Sequence, residues 1–188
     1  MIIVKSRSSA LDWVVYHESI ASPRSYVLLL NKTDAAVGVA DYWNSSGPTS
    51  TTFGIGPYGG NNTASATYVA YCFAPVAGYS AFGSYTGNNS ADGPFVYTGF
   101  RPRYVMAKAS SSTSNWVIYD TSRDPYNVSI AALYANTSGA EVTVGSLDID
   151  ILSNGFKWRE GGGQGNDSSV TYIYAAFAES PFKYANAR

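Results

Sequence analysis

The chain has 188 residues, 45% hydrophobic and 13% charged, with a formal net charge of -1. That is apolar material enough for a core, under a surface made polar by Ser, Thr, Asn and Gly, the reverse of a disordered composition. There is no basic run to serve nucleic acid or an acidic membrane, and no apolar run nears the roughly 20 residues of a membrane span.

The opening "MIIVKSRSSA" lacks the apolar core of a signal peptide. Short strands follow. "WVVY" from Trp13, "YVLLL" from Tyr26 and "TYVAYCFA" from Thr67 are rich in β-branched and aromatic residues, with "SSGPTS" and "GPYGGNN" as turns between them. The second half reads alike, with "WVIY" from Trp116, "EVTVGSLDIDIL" from Glu141 and "TYIYAAFA" from Thr171, punctuated by "GNNSADGP", "SNG" and "GGGQGND". In "SLDIDIL", Leu147, Ile149 and Ile151 fall on one face and Asp148 and Asp150 on the other. "AALYANTS" comes nearest to a helix and is too short to stand alone. Many short strands with Gly-rich turns predict an all-β protein of antiparallel sheets stacked as a sandwich.

The halves also resemble each other. "DWVVYHES" from Asp12 faces "NWVIYDTS" from Asn115 at an offset of 103, as Lys5 faces Lys108 and Phe53 faces Phe156; the pair beginning at Thr67 and Thr171 stands at 104. Ordered matches at a near-constant offset argue for an internal duplication, each copy being far longer than a solenoid repeat. The expected division is 1–81 and 82–188, two sandwiches that superpose, with Trp13 on Trp116, Tyr68 on Tyr172 and Phe73 on Phe177. Copy two has "FGSYTG" and "PFVYTGFRPR" ahead of its first matched strand, and copy one has nothing equivalent. That predicts an open sheet edge in copy one, covered by another subunit, a partner strand or further chain, and it reads as a fragment of a longer protein.

Residues with chemical potential are few. The lone Cys72 excludes an intrachain disulfide and a Cys-based zinc site, and is expected as a small buried hydrophobe. The lone His17 could join a serine and Asp41 in a nucleophilic triad, but its counterpart in copy two is Asp120. Asp148 and Asp150 would stand ~7 Å apart along one strand face, a weak case for a glycosidase pair. Asp92 and Asp167 are the candidate calcium ligands, in loops without alternating acids. No catalytic residue, metal site or cofactor is therefore assigned, and no enzyme activity is expected. Aromatics make up 15% of the chain. Trp13 and Trp116, at equivalent strand positions, are expected in the core. Trp43, Tyr58 and Tyr126 sit beside turn residues and are the candidate contacts for a glycan or a protein.

The phrases "DWVVYHES", "YVAYCFAPVAGYSAFGSYTGN", "DGPFVYTGFRPRYVMAK", "WVIYDTSRDPYNV" and "TYIYAAFAESPFKYANAR" resemble domains that recur in tail fibre and other virion structural proteins of tailed bacteriophages. Those domains are assigned to the concanavalin A-like lectin/glucanase class, laminin-G-like jelly-roll sandwiches. The resemblance covers nearly the whole chain. It implies a virion structural protein that works by assembly and surface interaction, as a homo-oligomer with other virion proteins. The alternative it offers is a carbohydrate-binding module for a host-surface glycan; a glucanase-type hydrolase ranks last for want of a carboxylate pair. Fold alone does not fix the function.

Overall fold

A computed structural model describes residues 1–21, 24–38, 42–143, 145 and 147–180. Asp41 and the closing "PFKYANAR" lie outside the described residues. The elements in chain order are β1 (Ile2–Ser6), β2 (Val14–Tyr16), β3 (Tyr26–Leu29), β4 (Val37–Gly38), α1 (Gly59–Asn62), β5 (Tyr68–Cys72), β6 (Ser80–Thr86), β7 (Phe95–Tyr97), β8 (Pro102–Ala109), β9 (Val117–Asp120), β10 (Ala131–Tyr134), β11 (Val142–Thr143), β12 (Ile149–Leu152), β13 (Gly155–Trp158), α2 (Gly163–Asn166) and β14 (Thr171–Ala178). The chain is thus nearly all β, and both helices are single turns. "AALYANTS" supplies strand β10. No described helix is long and apolar enough to cross a membrane.

The strands form three antiparallel sheets: β4-β3-β2-β1-β5, β11-β10-β9-β8-β14-β6 and β12-β13-β7. They stack in sandwich-like layers. One face of the six-stranded sheet (Val105, Tyr119, Tyr174, Ala176) packs on Ile149, Ile151, Phe156 and Trp158 of the three-stranded sheet. Its other face (Met106, Ile173, Ala175, with Trp116) packs on Ile3, Val15 and Leu28 of the five-stranded sheet. Burial on both faces explains why β14 reads as the near-continuous apolar run "TYIYAAFA" rather than alternating. The far face of the five-stranded sheet (Ile2, Val4, Val14, Tyr16, Val27) is covered by Tyr42 and Trp43.

Hydrogen bonds cross the contact between the halves. The Trp116 indole N–H donates to the Leu29 carbonyl at 3.0 Å. The Ala36 N–H donates to Ser110 O at 2.8 Å and the Ser114 N–H to Thr33 O at 2.9 Å.

The registers recur between the two sheets. Ile2↔Tyr16 and Ile3↔Val15 in β1–β2 correspond to Val105↔Tyr119 and Met106↔Ile118 in β8–β9. Ser6↔Tyr68 and Ile2↔Cys72 in β1–β5 correspond to Ala109↔Tyr172 and Val105↔Ala176 in β8–β14. Local devices recur with them: Asn31 Oδ1 accepts from the Trp13 N–H as Asn136 Oδ1 does from Trp116, and the Tyr68 hydroxyl accepts from the Thr63 N–H as Tyr172 does from Asp167.

The halves differ where β6, β7, β12 and β13 lie. The stretch of the first half that matches β12 and β13 runs as irregular chain with a bend, held by Thr49 Oγ1 accepting from Thr51 and Thr52 N–H. A second sheet in the first half was expected, but β13 is paired by β7, and among the described residues no strand takes the place of β7 beside residues 48–53. The division expected at 81/82 falls inside β6, which belongs to the six-stranded sheet.

Cys72 is exposed, not buried as expected. Its counterpart Ala176 is fully covered by the three-stranded sheet, whereas nothing described covers Cys72 at the sheet edge. Phe73 next to it is half-buried and packs on Phe82 and Phe177 at ring distances of 6.2 and 5.8 Å. The native thiol should accordingly react with a maleimide at close to the rate of an unfolded control. Cys72→Ser should then change stability by less than about 0.5 kcal/mol, as for other surface substitutions.

Candidate functional site

The outer face of the three-stranded sheet exposes two large aromatic side chains and is taken as the candidate site. Alternation along each strand sends Val96, Phe156, Trp158, Ile149 and Ile151 inward, where all are buried. Phe95 and Tyr97 on β7 therefore face solvent, at 47% and 66% exposure. Lys157 and Asp150 lie beside Phe95 in register, Phe95↔Lys157 and Asp150↔Lys157. Gly155 leaves room for the Phe95 ring: a Cβ there would lie 3.0 Å from that ring and 2.1 Å from the Val96 carbonyl oxygen.

Charges on this face are paired. Lys157 holds Asp92 at 2.5 Å and Arg159 holds Asp150 at 3.4 Å. The Lys157 ammonium pulls the Asp92 carboxyl below its ordinary range, first by hydrogen bonding and then by charge. The face thus offers aromatic rings among neutralised charges, which suits a neutral partner better than a strongly charged one.

Tyr126 stands at the opposite rim, 79% exposed. Its neighbour Asn127 pins the loop to β12, donating to Ile151 O at 3.0 Å and accepting from Ile151 N–H at 2.9 Å. Val128 and Ile130, also exposed, extend the apolar rim, because Ser129 bridges to Ile149 and turns inward.

Tyr58 is 42% exposed. Its ring packs on Tyr42 at 4.3 Å between centroids, and it lies over Gly60, where a Cβ would come within 2.9 Å of it. Burial, followed by the hydrogen bond to Tyr58, pushes the Tyr42 hydroxyl well above the usual tyrosine range. Tyr58 thus offers one flank of its ring to solvent on a fixed base. Trp43 is 1% exposed and meets Tyr16 edge-on at 5.4 Å, so its ring is core and presents no face to a ligand. Turn residues around Trp43 signalled a loop correctly, but a loop that folds back as the cover of a sheet.

Phe95 and Tyr97 were missed in the sequence because "PFVYTGF" reads as an ordinary strand; only knowing that Val96 points inward singles them out. The six-stranded sheet and the outer sheet are locked by Trp158 and α2. A Cβ on Gly165 would stand 2.1 Å from the buried Trp158 ring. Gly165→Ala should cost about 3 kcal/mol, the upper end for overpacking a core, measured as a drop in the denaturation midpoint at unchanged m-value.

His17 is 1% exposed. Its Nδ1 accepts the Ser19 N–H at 3.1 Å, which places the proton on Nε2, donating to Tyr174 O at 3.1 Å. Both nitrogens are thereby engaged by backbone. Burial pushes its pKa down to about 4. Lys108 is fully buried, its ammonium held by the carbonyls of Ala109 at 2.6 Å and Thr33 at 3.2 Å, and burial pushes it down to about 8. Asp148 and Asp150 keep the alternation expected of them, with Asp150 tied to Arg159. No group of three or more His, Cys, Asp or Glu among the described residues could hold a metal ion.

A family model described as a domain of unknown function, DUF7483, matches residues 1–181. The chain belongs to the DUF7483 family. The DUF7483 match takes in both halves and the segment that carries β6 and β7. No curated protein and no solved structure matches the chain.

Proposed function

We propose that this DUF7483 protein is a structural and interaction component of a tailed-bacteriophage particle, a duplicated jelly-roll-type module that works by assembly and surface contact. The observation that carries the interaction reading is the outer sheet face, where Phe95 and Tyr97 stand in solvent on a strand whose inner side is fully packed. Large rings on a rigid sheet make contact at low entropic cost, and native monomers rarely expose them in groups without use. The duplicated reading draws support from the recurring strand order and registers. The particle reading rests on the resemblance of the long phrases to domains of virion proteins.

The particle reading is tested with antibodies raised against the chain. Gold-labelled antibody should decorate intact particles of the phage that encodes it. Labelling of lysate alone, with clean particles, would overturn it.

A second reading, recognition of a neutral glycan, is favoured by the half-exposed ring of Tyr58, held against Tyr42 at 4.3 Å between centroids. Rings of this kind suit the flat faces of sugars.

A further inference from the structure

The two halves place the same strands in the same registers, so each shows what stands around the other. In the second half, β14 is paired on one side by β8 and on the other by β6. In the first half, among the described residues, β5 is paired by β1 and ends the sheet.

Which backbone groups are left open follows from the pairing. Phe73 N–H donates to Met1 O and Arg7 N–H to Thr67 O. Antiparallel alternation then turns Thr67, Val69, Tyr71 and Phe73 toward β1, and Tyr68, Ala70 and Cys72 outward. Their counterparts Tyr172, Tyr174 and Ala176 turn toward β6, in register with Tyr85, Gly83 and Ala81.

A groove lies beside this edge. It has a volume of about 300 Å³ and is walled by Ile2, Phe53, Cys72 and Ala74, with residues 48–52 along its rim. The counterparts of those four are Val105, Phe156, Ala176 and Ala178, and in the second half they form one core cluster with Val96 and Phe100. So the groove occupies the place where the second half holds the segment after β6. Edge and groove are the two surfaces that β6 and the segment after it cover in the second half.

We propose that the outer edge of β5 and this groove bind an extended segment of a partner polypeptide with the chemistry of residues 80–100. That is a strand of small and aromatic residues, "SAFGSYT", followed across a loop by a Val and a Phe four residues apart. The strand pairs antiparallel with β5 through Tyr68, Ala70 and Cys72, and the apolar pair fills the groove. Main-chain pairing supplies affinity and the groove supplies selectivity. Covering the edge also removes an aggregation liability. The inference stands on the matched registers and is independent of where the protein works.

The test uses the whole chain and a synthetic peptide of residues 80–100, with Cys72 as reporter. Saturating peptide should slow maleimide labelling of Cys72 about tenfold once it exceeds the dissociation constant by that factor. A peptide carrying Phe100→Asp should give no protection. Ala70→Pro in the chain deletes an outward N–H only, leaving the bonds to β1, and should fold normally yet lose protection. Cys72 labelling unchanged by millimolar peptide would overturn the proposal. So would full protection of Ala70→Pro, or a chain that already dimerises with Cys72 shielded, which would make a second copy the occupant.

Discussion

Trp116→Ala is expected to cost about 3–5 kcal/mol, the range for emptying a buried large aromatic site. The equivalent Trp13→Ala is expected to cost under about 2 kcal/mol. The two tryptophans occupy matched strand positions and share the same backbone cap from Asn136 and Asn31. Their surroundings differ. Trp116 is 1% exposed, wedged between the two large sheets, with its indole N–H on the Leu29 carbonyl. Its loss opens a cavity and strands that carbonyl. Trp13 lies half-buried at the margin, stacked on Tyr71 at 6.4 Å with the Lys5 ammonium 5.9 Å from its ring. Urea unfolding of both variants checks this. Equal losses would mean that the sheets are not packed face to face as described.

Stability should also fall with acid in a way set by His17. Its folded pKa, about 4, lies below the ordinary 6.5 because burial disfavours the imidazolium. The unfolded chain therefore takes up a proton first as the pH falls. The stability that neutral His17 contributes is intact above pH ~6.5, declines below it and is fully lost near pH ~4. The loss between about pH 7 and pH 5 is about 2 kcal/mol. Thermal melts of wild type and His17→Phe across this window provide the measurement. The wild type should lose more stability than the variant; parallel profiles would mean that His17 titrates normally in the fold.

Much of the architecture was legible because it rests on local chemistry. β-Branched and aromatic runs between Gly- and Asn-rich turns give strands whatever their neighbours, and Leu147, Ile149 and Ile151 went inward as their alternation required. Strand pairs at the near-constant offset between the halves have like registers, Ile2↔Tyr16 beside Val105↔Tyr119. What sequence could not supply is which sheet ends up in the middle. Lys5 and Lys108 face each other at the offset of 103, yet Lys108 is fully buried while Lys5 remains half-buried beside Trp13. "TYVAYCFA" and "TYIYAAFA" are near-synonyms, but one lies at the edge of its sheet among the described residues and the other runs through the centre of the stack. Cys72 was misplaced for this reason, and Trp43 because a loop residue and a lid over a sheet look the same in one dimension.

The central claim is that the outer face of the three-stranded sheet is an interaction surface. On the proposed reading, its most direct test is adsorption of the fluorescently labelled chain to intact phage particles and to host cells, comparing wild type with Phe95→Ser/Tyr97→Ser. Both side chains face solvent, so the double variant should keep its melting temperature within a few degrees. Adsorption should fall at least about tenfold, as when two aromatic anchors are removed from an interface. A folded variant that still adsorbs like wild type would contradict the account.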